Sequence, residues 1–240
     1  MKDAIIKLMS VTKVFPAGSG EFKAINKVSL KFAKGEFTGL VGPSGSGKTT
    51  LLNIIGSLDT PTEGTAEVLG KNISRLTHGE SALLRNYHIG FIFQTYNLLP
   101  VYTVFENVQF TLLLQKRNTA ERKKAVMESL DWVGLSDKAG SRPAQLSGGE
   151  CQRVAIARAM VKKPEIVLAD EPSANLDAAN SIRIVQTMKK LCKELSTTFI
   201  FATHDEKVMQ FLDRIIFLRD GMVEKDKRIN SSPGNQDDSN

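Results

Sequence analysis

Apolar residues in this chain gather in short runs, and the runs follow two different periods. The stretches 28–32, 37–41, 89–93, 166–169, 198–203 and 215–218 have the length and the β-branched and aromatic content of strands. Between the later ones, Ile182, Val185, Met188, Cys192 and Leu195 recur every three or four residues, the spacing of one helix face. Strands that alternate with helices predict a mainly parallel sheet covered by helices. The earliest strands follow one another with no helix between them, which predicts an antiparallel β flank.

From about 95 to 154 the strand signal stops. Asn118 followed by Glu121 spells a capping box that opens a helix through Ala125, Val126, Leu130 and Val133. The expected architecture is therefore α/β. A sheet core over 1–94 and 155–224 carries the antiparallel flank, and an α-helical subdomain is inserted at about 95–154. The polar tail over 225–240 holds too little apolar surface to order itself and is expected to be disordered.

One stretch carries recognisable chemistry. Gly42-Pro43-Ser44-Gly45-Ser46-Gly47-Lys48-Thr49 fits the pattern G-x-x-x-x-G-K-[ST], between the strand 37–41 and an apolar helix over 51–58. Glycines let successive backbone N–H groups turn toward a phosphate, and the helix start adds its positive dipole end. Lys48 is then placed for the β- and γ-phosphates of a nucleotide, Thr49 for Mg²⁺, and Thr50 closes the same loop. A Gly/Ser-rich turn with a chance lysine would lack the flanking strand and helix. The strand 166–169 runs into Asp170 and Glu171, two carboxylates suited to holding Mg²⁺ and to activating a water. An acidic strand end is common by itself, so this reading rests on the phosphate loop beside it.

Composition narrows the class rather than the chemistry. Hydrophobic residues make up 41% and charged residues 24%, as in ordinary globular chains. No apolar run approaches the roughly 18 residues of a membrane-crossing helix. The start, Met1-Lys2-Asp3-Ala4-Ile5-Ile6-Lys7, lacks the apolar core and cleavage site of a secretory leader, so a cytoplasmic protein is expected. The net charge of +6 suits a polyanion, an anionic membrane surface or a plain solvated surface alike. Cys151 and Cys192 lack metal-ligand spacing and read as reduced thiols. His78, His88 and Trp132 read as structural.

A phosphate loop alone spans kinases, GTPases and many motors. The segment Leu146-Ser147-Gly148-Gly149-Glu150-Cys151-Gln152-Arg153 separates them, because a serine and two glycines at a helix start make a second anion site. It resembles the signature motif of ATP-binding-cassette proteins, and the chain is identified as a member of that family over about residues 4–224. The resemblance implies a P-loop fold, ATP with Mg²⁺, and a head-to-tail homodimer in which Ser147, Gly148 and Gly149 of one copy close on the other copy's ATP. It implies further that Gln94 senses the γ-phosphate and joins Thr49 and Asp170 at the metal. Glu171 acts on the water, His204 contacts the γ-phosphate, and Asp177 of Ser173-Ala174-Asn175-Leu176-Asp177 communicates across the dimer. Phe15 falls where an aromatic stacks on adenine, although a core aromatic would read the same.

The phrases Gly56-Ser57-Leu58-Asp59-Thr60-Pro61-Thr62-Glu63-Gly64, Tyr96-Asn97-Leu98-Leu99-Pro100 and Arg142-Pro143-Ala144-Gln145-Leu146 resemble the ATPases of lipoprotein release, macrolide export and the cell-division permease pair (LolD-, MacB- and FtsE-type). That subgroup implies an integral membrane permease partner of the FtsX, LolCE or MacB kind, and a place on the cytoplasmic face of the cell membrane. The partner's short helix would dock where the sheet meets the insert, near Tyr96, Leu98, Leu99, Val101 and Tyr102. Those five could equally form the insert's own core. A regulatory ATPase that transmits force without moving cargo fits the same residues. A P-loop kinase is disfavoured by the signature, and a nucleic-acid-acting cassette protein by the absence of a second cassette or a long coiled-coil interruption.

Overall fold

The computed structural model describes residues 4–18 and 20–229. They fold in the order β1 (Ala4–Ala17), β2 (Gly20–Ala33), β3 (Phe37–Val41), α1 (Lys48–Ile55), β4 (Glu63–Val68), β5 (Lys71–Asn72), α2 (His78–His88) and β6 (Ile89–Ile92). There follow α3 (Val104–Leu113), α4 (Thr119–Trp132), α5 (Gly148–Met160), β7 (Ile166–Asp170), α6 (Ala178–Leu195), β8 (Thr198–Thr203), α7 (Glu206–Met209), β9 (Arg214–Arg219) and β10 (Met222–Arg228). Strands β2, β1, β4 and β5 form the antiparallel flank, in that order. A second sheet has the order β10-β9-β3-β8-β7-β6, with β10 antiparallel to β9 and the other pairs parallel.

The parallel strands are apolar without alternation because both faces of their sheet are covered. In β8, Phe199 and Phe201 join one apolar cluster with α3, α4, α5 and α6. Ile200 and Ala202 join another, with α1 and the antiparallel flank. Strand β7 divides in the same way, Val167 and Ala169 against Ile166 and Leu168. A one-residue slip would exchange the two sets, so the pleat fixes which helices cover which face.

The helical insert comprises α3, α4 and the start of α5, which continues past 154 to Met160. Its capping box is formed, with Glu121 N–H donating to Asn118 Oδ1 at 2.9 Å and Asn118 N–H to Glu121 Oε2 at 3.2 Å. Val108, Val126 and Leu130 belong to the same cluster as Val154, Met160, Val167 and Met188. Insert and core thus share one apolar interior, and α5 is the element common to both. Ahead of α3, the irregular stretch 98–103 is held from inside. Asn107 is fully buried, accepts from Leu99 N–H at 2.7 Å, and sets its amide nitrogen 2.9–3.2 Å from the carbonyls of Leu99, Tyr102 and Thr103.

The expectation of disorder from 225 onward is corrected for its first residues. Strand β10 continues to Arg228, and Arg214 on β9 pairs with Asp226 at 2.6 Å while Arg228 pairs with Glu36 at 2.9 Å. An edge strand can draw on ladder bonds and ion pairs in place of apolar burial, so a polar composition did not reveal it. The rest of that tail, 230–240, lies outside the described residues.

Candidate functional site

The site is assembled at the carboxyl ends of the parallel strands. Strand β3 stops at Val41, and the loop turns at Gly42 under the backbone of β9. A Cβ on Gly42 would sit 2.1 Å from the Leu218 carbonyl oxygen, so only glycine fits. The loop re-enters α1 through Gly47, at φ +98°, where a Cβ would lie 2.5 Å from the carbonyl of Ala24. Gly47 offers no side-chain cap, which leaves the first N–H groups of α1 free for an anion. Lys48 is buried, and its ammonium donates to the carbonyls of Gly42 at 2.7 Å and Pro43 at 2.9 Å. The positive charge therefore rests inside the loop's own curl.

Strand β8 separates β3 from β7, yet Asp170 at the end of β7 reaches the start of α1. Thr49 Oγ1 donates to Asp170 Oδ2 at 2.9 Å, while Asp170 Oδ1 is buried with no partner among the described residues. Glu171 takes a left-handed φ of +48° and hydrogen-bonds Ala202 through its N–H, which turns the side chain out of the strand line. Its carboxylate lies 3.0 Å from His204 Nδ1, just past the end of β8. Gln94 follows β6, and its carbonyl accepts from the Asn175 side chain at 3.1 Å.

One open cavity of about 570 Å³ gathers Pro43, Ser44, Gly45, Gly47, Lys48, Thr49 and Thr50 with Gln94, Asp170, Glu171 and His204. Gly42 and Ser46 are not among its lining residues, and Ser46 is buried. Phe15 is not among the lining residues, but Phe22, its cross-strand partner in the β1–β2 hairpin, is. That participation of Phe22 escaped the sequence reading, because it requires the register of a hairpin whose two strands are long and bulged.

The remaining predicted residues stand apart from this cavity. Ser147 caps α5, accepting from Glu150 N–H at 3.3 Å while its own N–H donates to Glu150 Oε2 at 2.8 Å. The Ser147 N–H, together with the Ser147 hydroxyl, holds the Glu150 carboxyl below the usual carboxylate range. Gly149 abuts the start of α6, where a Cβ would come within 3.0 Å of Asn180 Oδ1. Asp177 caps α6, and the Asn180 N–H bonded to its carboxylate lowers its pKa. Of the apolar residues after Gln94, Leu98 packs on the interior, whereas Leu99, Val101 and Tyr102 are exposed. Both cysteines are buried.

Comparison with known proteins matches this arrangement to one family. The family model for ABC transporters covers residues 25–174. The lipoprotein-releasing system ATP-binding protein LolD of Pseudoalteromonas translucida is 42% identical over 223 residues, 93% of this chain and 96% of the relative. The uncharacterized ABC transporter ATP-binding protein MJ0796 of Methanocaldococcus jannaschii is 43% identical over 229 residues, 94% and 97% of the two chains. Among solved structures, the dimeric post-hydrolysis state of MJ0796 bound to ADP and Pi superposes with a TM-score of 0.87 at 42% identity, over 95% of this chain and 100% of that one. Likeness at this level across nearly the whole chain places the protein in the ABC transporter family as an ATP-hydrolysing cassette.

Proposed function

We propose that this ATPase works as a head-to-tail pair driving an integral membrane permease from the cytoplasmic face of the cell membrane, in a system of the lipoprotein-release or efflux type. The observation that carries the reading is the division of the motifs. The phosphate loop, Gln94, Asp170, Glu171 and His204 line one cavity, whereas Ser147, Gly148, Gly149 and Asp177 lie outside it. A signature that does not reach its own chain's site is suited to completing a partner's. The dimeric MJ0796 cassette and the LolD relatives support pairing and a permease. No helix among the described residues is long and apolar enough to cross a membrane, so attachment falls to the partner. The exposed Leu99, Val101 and Tyr102 are the surface proposed to meet it.

In this reading the free N–H groups of α1 receive the β-phosphate, and Lys48 leaves the Gly42 and Pro43 carbonyls for the β- and γ-phosphates. Thr49 and Asp170 fit a Mg²⁺ ion, since two oxygens already meet there and Asp170 Oδ1 is an orphaned buried acceptor. The ion, when bound, neutralises phosphate charge. Glu171 takes the proton of a water whose oxygen attacks the γ-phosphorus, and the bond to the β–γ bridging oxygen breaks to give ADP and phosphate. His204 holds the Glu171 carboxylate and reaches toward the γ-phosphate, and Gln94 contacts the attacked group from the insert side. Phe22 and Phe15 offer ring faces at the hairpin end to the adenine.

Glu171→Gln tests the core of this. Turnover should fall by about 10²-fold or more, the scale of lost general-base help. With ATP present, light scattering should register a doubled mass. An active, monomeric variant would refute both the base and the pairing.

A further inference from the structure

The segment that leaves the nucleotide site is tied at two points to the helix that carries the signature. Two residues past Gln94, Tyr96 and Asn97 are consecutive non-glycine residues at φ +58° and +49°. Two left-handed residues in a row persist only where their surroundings hold them. The holding group is Arg158, on α5. Its guanidinium donates to the Tyr96 carbonyl at 2.6 Å and the Asn97 carbonyl at 2.5 Å, as a fork across successive peptide units. Arg158 has no carboxylate partner among the described residues, and burial depresses its pKa, so a desolvated charge is spent on two neutral oxygens. The second tie is at the other end of α5. The Tyr96 phenol lies against Gly148, where a Cβ would come within 3.0 Å of its oxygen, and burial pushes its pKa up. Gly148 and Arg158 are ten residues apart, about 15 Å along the helix.

We infer that Arg158 and Tyr96 are positioning residues that lock the segment following Gln94 to α5, so that γ-phosphate contact at one site moves the signature helix presented to the other. This rests on the paired reading above and adds to it the two residues that keep the corner after Gln94 rigid. The planar fork suits arginine, since two separate nitrogens meet the two carbonyls, whereas a lysine would have to share one ammonium nitrogen between them. A displacement of Gln94 in which the 96–97 corner stays intact is passed to α5 as a whole.

The test uses Arg158→Lys and Tyr96→Leu, each in the full chain and in the Glu171→Gln background. ATP affinity of the monomer should stay within about twofold for both. The ATP concentration for half-maximal dimerisation, read by light scattering, should rise about tenfold for Arg158→Lys, the factor matching one weakened charge-assisted hydrogen bond. In chains that retain Glu171, the Hill coefficient for ATP hydrolysis should drop from about 2 toward 1. Tyr96→Leu leaves the guanidinium bonds in place and should shift both readouts the same way, which decides the matter if Arg158→Lys folds poorly. If Glu171→Gln alone does not dimerise, the paired reading is what fails. If it dimerises and both further variants match it in ATP requirement and Hill coefficient, the link is overturned. A loss in which melting temperature and monomer ATP affinity fall together also overturns it, since Arg158 would then only support the fold.

Discussion

Asn107→Ala is the substitution whose cost can be worked most directly from the contacts. The side chain is fully buried and serves four backbone groups of the stretch 99–103. Two of these keep another partner in the variant, because the Leu99 carbonyl still accepts from Tyr102 N–H and the Thr103 carbonyl from residue 107's own N–H. Leu99 N–H and the Tyr102 carbonyl are left alone. Two lost bonds at about 1 kcal/mol each, plus a desolvation penalty softened by water at this partly open loop, come to about 2–3 kcal/mol. For a chain of this size that is a melting-temperature drop of about 5–10 °C. Asn107→Asp should cost more, since it keeps the acceptor for Leu99 N–H but turns a buried anion toward three carbonyls. Trp132, the single tryptophan, ends α4 inside the insert and reports denaturant unfolding by fluorescence. An alanine variant within about 0.5 kcal/mol of wild type, or an aspartate variant as stable as the parent at neutral pH, would refute the assignment of Asn107 as the inner support of this loop.

Other measurements bear on separate parts of the molecule. Ser147→Arg should block hydrolysis but leave ATP binding to the monomer intact. Mixed with Lys48→Ala it forms pairs with one undamaged composite site, so hydrolysis should partly return, and no recovery at any ratio would count against pairing. Changing Leu99 and Tyr102 to Glu should spare ATP binding by the isolated chain while lowering permease pull-down, and undiminished assembly would move the docking surface elsewhere. Burial lowers Lys162 to about 8 from the ordinary lysine value of 10.5, so the unfolded chain holds the extra proton between those values and stability climbs with pH across that window. Lys162→Met should remove this climb, and an unchanged difference in denaturation midpoint between pH 7 and pH 10 would contradict it.

The elements of the candidate site were legible because they are local. The phosphate loop, the strand ending in Asp170 and Glu171, and the capped start of α5 each occupy a few consecutive residues, and physics fixes their types at those spacings. The flank was harder to read. Strands β1 and β4 follow no simple alternation, and β1–β2 pairing depends on bulges between Leu8 and Val14 that only the folded register reveals. Helix α2 buries just Leu84, so its periodicity is faint, although Thr77 and Glu80 spell the capping box that opens it. The β10 edge is written in charge, through Arg214, Asp226, Arg228 and Glu36, rather than in apolar residues.

The parallel sheet also divides the molecule into two rims with different tolerance. The loop after β3, the carboxylates at the end of β7 and His204 after β8 all emerge at one rim. The segments entering those strands gather at the other, about 15–20 Å away by strand length. At that far rim Ser196 is exposed and already left-handed, at φ +52°. A dye or an immobilising tag placed there would sit across the full height of the sheet from the nucleotide. This rim is accordingly the handle by which the motor can be held or watched while it turns over.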